Sequence, residues 1–176
     1  LNPFWSNIFR KPGYEGTLAY FLGTIALFTD LTPGELKILE NLVHLRNYDQ
    51  GETVFAEGDI GSGMYIIRSG RVRIDMKDDH GREHPQAELE TADFFGEMAL
   101  TIPKQRIVTA TATEPTVLVG LFRADVHDTV RKHPVLAAKI LLGLTQVLSE
   151  RLQQAALRQR EHLHAPATDP SPTEPT

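Results

Sequence analysis

A mainly β fold, an antiparallel barrel or jelly roll with helices on both flanks, is predicted for this chain by three observations. From about residue 44 to 122 the apolar period is two: Val72, Ile74 and Met76 alternate against Arg71, Arg73, Asp75 and Lys77, as in a half-buried strand. Across the same stretch Gly51, Gly58, Gly61, Gly63, Gly70 and Gly81 fall at the short intervals that hairpins need. On either side the apolar spacing becomes helical. With 176 residues, 41% of them hydrophobic, the chain suits one globular domain with short extensions, large enough to bury a core without staples.

The elements follow in order. Residues 1–16 mix Phe4, Trp5 and Phe9 with Pro3, Pro12 and Gly13 and form an aromatic arm expected to dock its rings on a surface. Leu18, Phe21, Leu22, Ile25 and Phe28 then recur at helical spacing and predict a packing helix. A second helix has explicit start signals: Thr32 as N-cap, Pro33 at the first helical position and Glu35 completing a capping box. Its apolar face is Leu36, Leu39, Leu42 and Val43. The strand region ends with residues 106–112 and 116–122, joined by a Glu114-Pro115 turn that closes the barrel.

Two helices come next, a short one around Ala124 to Lys132 and a long one that starts at Pro134 and ends between His162 and His164. The long helix carries Leu141, Leu144, Leu148, Leu152 and Ala155 along one face at roughly coiled-coil spacing. It runs about 40 Å at 1.5 Å per residue, more than one small barrel needs to cover, and so predicts a homodimer. From Ala165 the chain is rich in Pro, Thr and Ser and is expected to be disordered. The expected organisation is therefore an arm over 1–16, the barrel with its first helices over 17–133, a lid or dimerisation helix over 134–164 and a tail over 165–176.

Composition removes whole classes of function. Without cysteine there is no disulfide, thiolate metal site or cysteine nucleophile, and the cytoplasm is the default location. A net charge of −5 argues against nonspecific nucleic-acid binding, so any anion site must be local. Leu18 to Phe28 is too short an apolar run to cross a bilayer, so no membrane span is expected. The chain opens on Leu1 rather than methionine, which leaves open whether sequence precedes it.

The run Phe95-Gly96-Glu97-Met98-Ala99-Leu100, followed six residues later by Arg106, concentrates an anion site into a dozen residues. Glycine allows close backbone approach, a short helix beginning near Glu97 presents free N–H groups, and arginine can grip two phosphate oxygens at once. Glu97 would repel phosphate. Its natural target is a hydroxyl donor beside that phosphate, such as a ribose 2′-OH. His80 and His84 flank Gly81 in a polar hairpin without metal-ligand spacing and are expected to be solvated, leaving no metal site. Glu57, Asp59 and the glycines near them are expected to form turns.

This run resembles the phosphate-binding cassette of the cyclic nucleotide-binding domain family. Val54-Phe55-Ala56-Glu57-Gly58-Asp59 and Gly61-Ser62-Gly63-Met64-Tyr65-Ile66-Ile67 resemble its second and third strands, so the likeness spans roughly residues 30 to 150. It implies an eight-stranded β-roll binding cAMP, with cGMP as second choice, through Phe95, Gly96, Glu97, Met98, Ala99, Arg106 and Ile107, the amides of Ala99 and Ile107 completing the phosphate cradle. Gln105 stands where the family usually has proline, and Ile107 where it usually has a small residue. A threonine at that place is associated with cGMP preference, so its absence favours cAMP. By position along the last helix, Thr145 and Gln146 are candidate base contacts. The likeness to the catabolite activator and to protein kinase A regulatory subunits implies a sensor rather than an enzyme. It needs no cofactor and no nucleic acid, and signals to a downstream protein. The rival reading is a β-roll scaffold that has lost nucleotide binding.

Overall fold

The computed structural model describes residues 16–164. The aromatic arm up to residue 15 and the tail from residue 165 lie outside the described residues.

Helix α1 (Leu18–Gly23) is capped by Thr17, whose hydroxyl accepts from the amide of Tyr20. The single helix expected over residues 18–28 is in fact broken. Gly23 is a weak helix former, and the Thr24 hydroxyl donates back to Phe21 O at 2.7 Å, closing the turn locally. Ile25 is extended, and a separate 3-10 turn, Ala26–Phe28, follows. The break lets Leu22, Ile25, Leu27 and Phe28 all reach the core. Helix α2 (Pro33–Glu40) starts on the expected capping box: Glu35 N–H donates to the Thr32 hydroxyl, and Thr32 N–H donates to Glu35 Oε2 at 2.7 Å.

Eight strands follow: β1 (His44–Tyr48), β2 (Thr53–Phe55), β3 (Gly63–Ser69), β4 (Val72–Lys77), β5 (Glu83–Leu89), β6 (Phe94–Phe95), β7 (Thr109–Ala112) and β8 (Thr116–Phe122). They form two four-stranded antiparallel sheets, ordered β1-β8-β3-β6 and β2-β7-β4-β5, the β-roll that the resemblance implies. Ile67 and Leu118 on one sheet pack against Phe55, Val72, Ile74 and Ala110 on the other. The opposite face of β3 and β8, with Met64, Ile66, Val119 and Leu121, packs against the helices. Because both faces are covered, β3 and β8 read as nearly continuous apolar runs, whereas β4, covered on one face, alternates.

That alternation fails at one place. Asp75 is buried and Met76 is exposed, where the period of two predicts the reverse. The β4–β5 pairing shifts register between Ile74 and Asp75, leaving Gln86 unpaired, and Arg73 covers the carboxylate by donating from Nε to both Asp75 oxygens at 2.9 Å. In the β4–β5 turn Asp78 accepts from the His80 and Arg82 amides and pairs with Arg82 and His84.

Helices α3 (Arg123–Lys132) and α4 (Pro134–His164) follow β8 directly. The first half of α4 docks on the N-terminal helices through Leu136, Ile140 and Leu144. At Gly143 the contact is closest, for a Cβ there would lie 2.3 Å from Leu27 O. Lys139 adds an ion pair to Glu35 at 2.7 Å. Among the described residues no helix is long and apolar enough to cross a membrane.

Candidate functional site

Gly96 follows β6 with φ of +77°, in the left-handed region that glycine adopts without strain. Its missing side chain matters as much as its dihedral, since a Cβ would lie 2.5 Å from Arg106 Nη1. The chain then makes a 3-10 turn, Glu97–Leu100. Arg106 was expected to open a strand, but β7 begins only at Thr109. Instead the segment around Arg106 is zipped to the β2–β3 turn. Arg106 N–H donates to Asp59 O, Gly58 N–H donates to Arg106 O and Gly61 N–H donates to Lys104 O, all within 2.9 Å. None of these bonds uses the amide of Gln105. The order that a proline would impose at position 105 is thus supplied by pairing between the two turns.

The Arg106 side chain is 9% exposed. Its guanidinium lies 4.0 Å from the centroid of the Phe55 ring, Nη1 donates to Gly96 O at 2.9 Å and Nη2 donates to Gly63 O at 2.7 Å. Burial pushes its pKa down, opposed by Tyr65, Glu97 and Asp59, and guanidinium remains a cation regardless. The two carbonyls fix the plane of the fork while the remaining N–H groups stay available to an anion in the cavity beside it.

That cavity, of about 520 Å³, is within the range that holds a small ligand. Phe95, Gly96, Glu97, Met98, Ala99, Arg106 and Ile107 all line it, so the structure brings the seven cassette residues together. Phe55, Ile74, Leu89, Phe94 and Val108 form apolar walls. Ile107, though it lines the cavity, is 62% exposed. Thr145 and Gln146 are not brought to the site. Both are exposed, neither lines the cavity, and the Thr145 hydroxyl donates to Leu141 O at 2.8 Å. The reason is the docking of α4 on the N-terminal helices, which holds that part of the helix away from the cassette.

Two arginines that the sequence reading missed complete the site. Arg151, from the second half of α4, donates from Nη1 to Glu97 Oε1 at 2.6 Å and from Nη2 to Phe94 O at 3.1 Å, with its guanidinium 4.6 Å from the Phe94 ring centroid. Glu97, 7% exposed, is therefore engaged by the helix. Arg123, the first residue of α3, donates from Nη1 to Ala99 O at 2.8 Å and to Gly61 O at 3.1 Å, bracing the cassette against the β2–β3 turn. Spacing offered no signal for Arg123. For Arg151 a signal exists: it follows the buried Ala137 and Leu144 at intervals of seven, so it is a charge in the register of the docking stripe.

A left-handed glycine, a 3-10 turn and a buried arginine thus stand together on one apolar cavity between the β-roll and the last helix. The chain belongs to the cyclic nucleotide-binding domain family, whose sequence profile matches residues 45–133. It is 35% identical over 131 residues to the cyclic AMP receptor protein of Thermus thermophilus, covering 74% of this chain and 59% of that one. The catabolite activator protein of Thermus thermophilus superposes with a TM-score of 0.70 at 33% identity, covering 77% of this chain and 62% of that structure. A cAMP-dependent protein kinase regulatory subunit of Blastocladiella emersonii is 33% identical over 92 residues, covering 52% of this chain and 23% of its own. The chain thus spans about three-fifths of the length of the first two.

Proposed function

We propose that this chain is a cyclic nucleotide sensor, suited to cAMP, and that it passes ligand binding through α4 to a partner protein. The observation that carries the reading is the pairing of a buried, plane-fixed Arg106 with Glu97 on one apolar cavity. The cyclic phosphate sits on the cassette, held by Arg106 and the amides of Ala99 and Ile107, and Glu97 takes the ribose 2′-OH. Arg151 already holds Glu97, so the sugar and α4 address the same carboxylate, and binding at the cassette bears on where the helix lies. Phe95 and Met98 complete the wall. Ile107 brings no hydroxyl to a guanine, which favours cAMP over cGMP. The site performs recognition, with no catalytic role for any of its residues. The exposed Leu148 and Leu152 of α4 supply the apolar surface for a homodimer or for the downstream protein.

Calorimetry with the two nucleotides tests this. cAMP binds more tightly than cGMP, and Arg106→Ala weakens cAMP by about tenfold to a few hundredfold, the worth of a charge-assisted phosphate contact. Glu97→Ala costs more with cAMP than with its 2′-deoxy analogue, because the hydrogen bond removed exists only with the hydroxyl. No heat from either nucleotide at millimolar concentration would return the chain to the scaffold reading.

A further inference from the structure

The charges around the cavity do not match the charge of a cyclic monophosphate. Three cationic residues line it, Lys104, Arg106 and Arg151, against one acidic residue, Glu97. The chain as a whole carries −5, so this local excess runs against the composition. Arg106 is held by two carbonyls, and Arg151 by Glu97 and a third. Lys104 is different. Its backbone is fixed, with its carbonyl accepting from Gly61 N–H at 2.9 Å two residues before Arg106, while its side chain is exposed and takes part in no hydrogen bond or ion pair among the described residues. A cyclic phosphate brings one negative charge. Once Arg106 is neutralised, one positive charge, that of the exposed Lys104, is left over two residues from Arg106 on the same cavity.

We propose that Lys104 makes the phosphate end of this cavity a two-charge site, so that it takes a nucleotide carrying a doubly charged phosphate group as well as a cyclic monophosphate. Lys104 is the residue that sets this tolerance. A phosphomonoester carries about −1.5 to −2 at pH 7, with a second pKa near 6. Arg106 contacts the phosphate common to both ligand types, and the ammonium of Lys104 meets the second charge as a point charge on a flexible stem. The inference rests on the cassette being a nucleotide site.

The test is calorimetric titration of wild type and Lys104→Gln with cAMP and with 5′-AMP at pH 7.5, at one ionic strength. Lys104 is exposed, so the variant folds. Wild type binds both ligands, Lys104→Gln weakens 5′-AMP about five- to twentyfold and cAMP less than about threefold, and Lys104→Arg restores 5′-AMP binding. At pH 5, where the monoester is singly charged, the difference between wild type and Lys104→Gln shrinks toward that seen with cAMP. Equal losses for the two ligands would overturn the proposal, as would wild-type binding of cAMP without 5′-AMP, which leaves the cyclic nucleotide reading standing. Binding of neither ligand removes that reading itself.

Discussion

The two halves of α4 carry the same kind of leucine pattern and meet opposite fates. In the first half Leu136, Ile140 and Leu144 are buried against the N-terminal helices. In the second, Leu148, Leu152 and Leu157 are exposed, Leu152 by 73%, and the described polar tie to the β-roll is Arg151. Apolar periodicity therefore reports which face of a helix is sticky, not what covers it. The docked half belongs to the fold, whereas in the second half Arg151 grips a site residue. This difference makes the second half the part of the molecule suited to respond.

The largest expected contrast comes from deleting one leucine in each half. Leu144→Ala should cost about 2–5 kcal/mol in urea unfolding, as buried leucine truncations do, while Leu152→Ala should fall within about 0.5 kcal/mol. Equal costs would erase the distinction. Next, replacing Leu148 and Leu152 together with Asp should dissociate a homodimer in light scattering, since each leucine buried in a seam is worth about 1.5–3 kcal/mol. A wild-type monomer at tens of micromolar would leave the exposed stripe to the downstream partner alone.

A smaller effect is expected from Arg151→Ala. Its side chain is 44% exposed, which screens the ion pair, so a loss of about 1 kcal/mol is appropriate, or about fivefold faster hydrogen exchange confined to the second half. Exchange that rose along the whole helix would mean that the halves are one cooperative unit. The smallest effect is acid sensitivity of the docked half. Burial raises the Glu35 pKa, but the bonds from Lys139 and Thr32 outweigh it and hold the group below its ordinary value. Its contribution is therefore present above about pH 4.3, the unfolded value, and is lost as pH falls through the lowered folded one. Glu35→Gln should flatten that part of the decline in urea midpoint between pH 7 and pH 3, without changing exchange near Arg151.

Much of this was legible in the residues. The capping box at Thr32–Glu35, the strand region and the cassette are local signals, each set by neighbours within a few positions: the structure has the box, strands across most of the region and the cassette residues on one cavity. The misplaced elements depended on distant partners or on bonds that spacing does not reveal. Helix α1 ends early through a threonine hydroxyl bond. Arg106 lies in a loop because the β2–β3 turn zips to it. The burial of Asp75 goes with the bond from Arg73 that covers its carboxylate, which a period of two does not reveal. Arg151 was hidden for another reason: a charge inside an apolar heptad looks like an imperfection until the docked face is known. Thr145 and Gln146 were placed by analogy along a helix, and helix position alone does not decide which turn overhangs a cavity.

The contact of Gly143 with Leu27 O gives α4 a fulcrum. A helix backbone seated directly on a carbonyl is fixed against sliding along its axis, and with the first half docked any movement of the second half is a bend that starts near that point. Arg151 lies about 12 Å beyond the fulcrum and the end of the helix about 32 Å beyond it, at 1.5 Å per residue. A second half that bends from there as one piece multiplies displacement about 2.6-fold, so a shift of about 1 Å where Arg151 meets Glu97 becomes one of about 2.6 Å at the far end. Gly143→Ala, which would move the helix off the carbonyl, should change how far the second half moves for a given shift at Arg151.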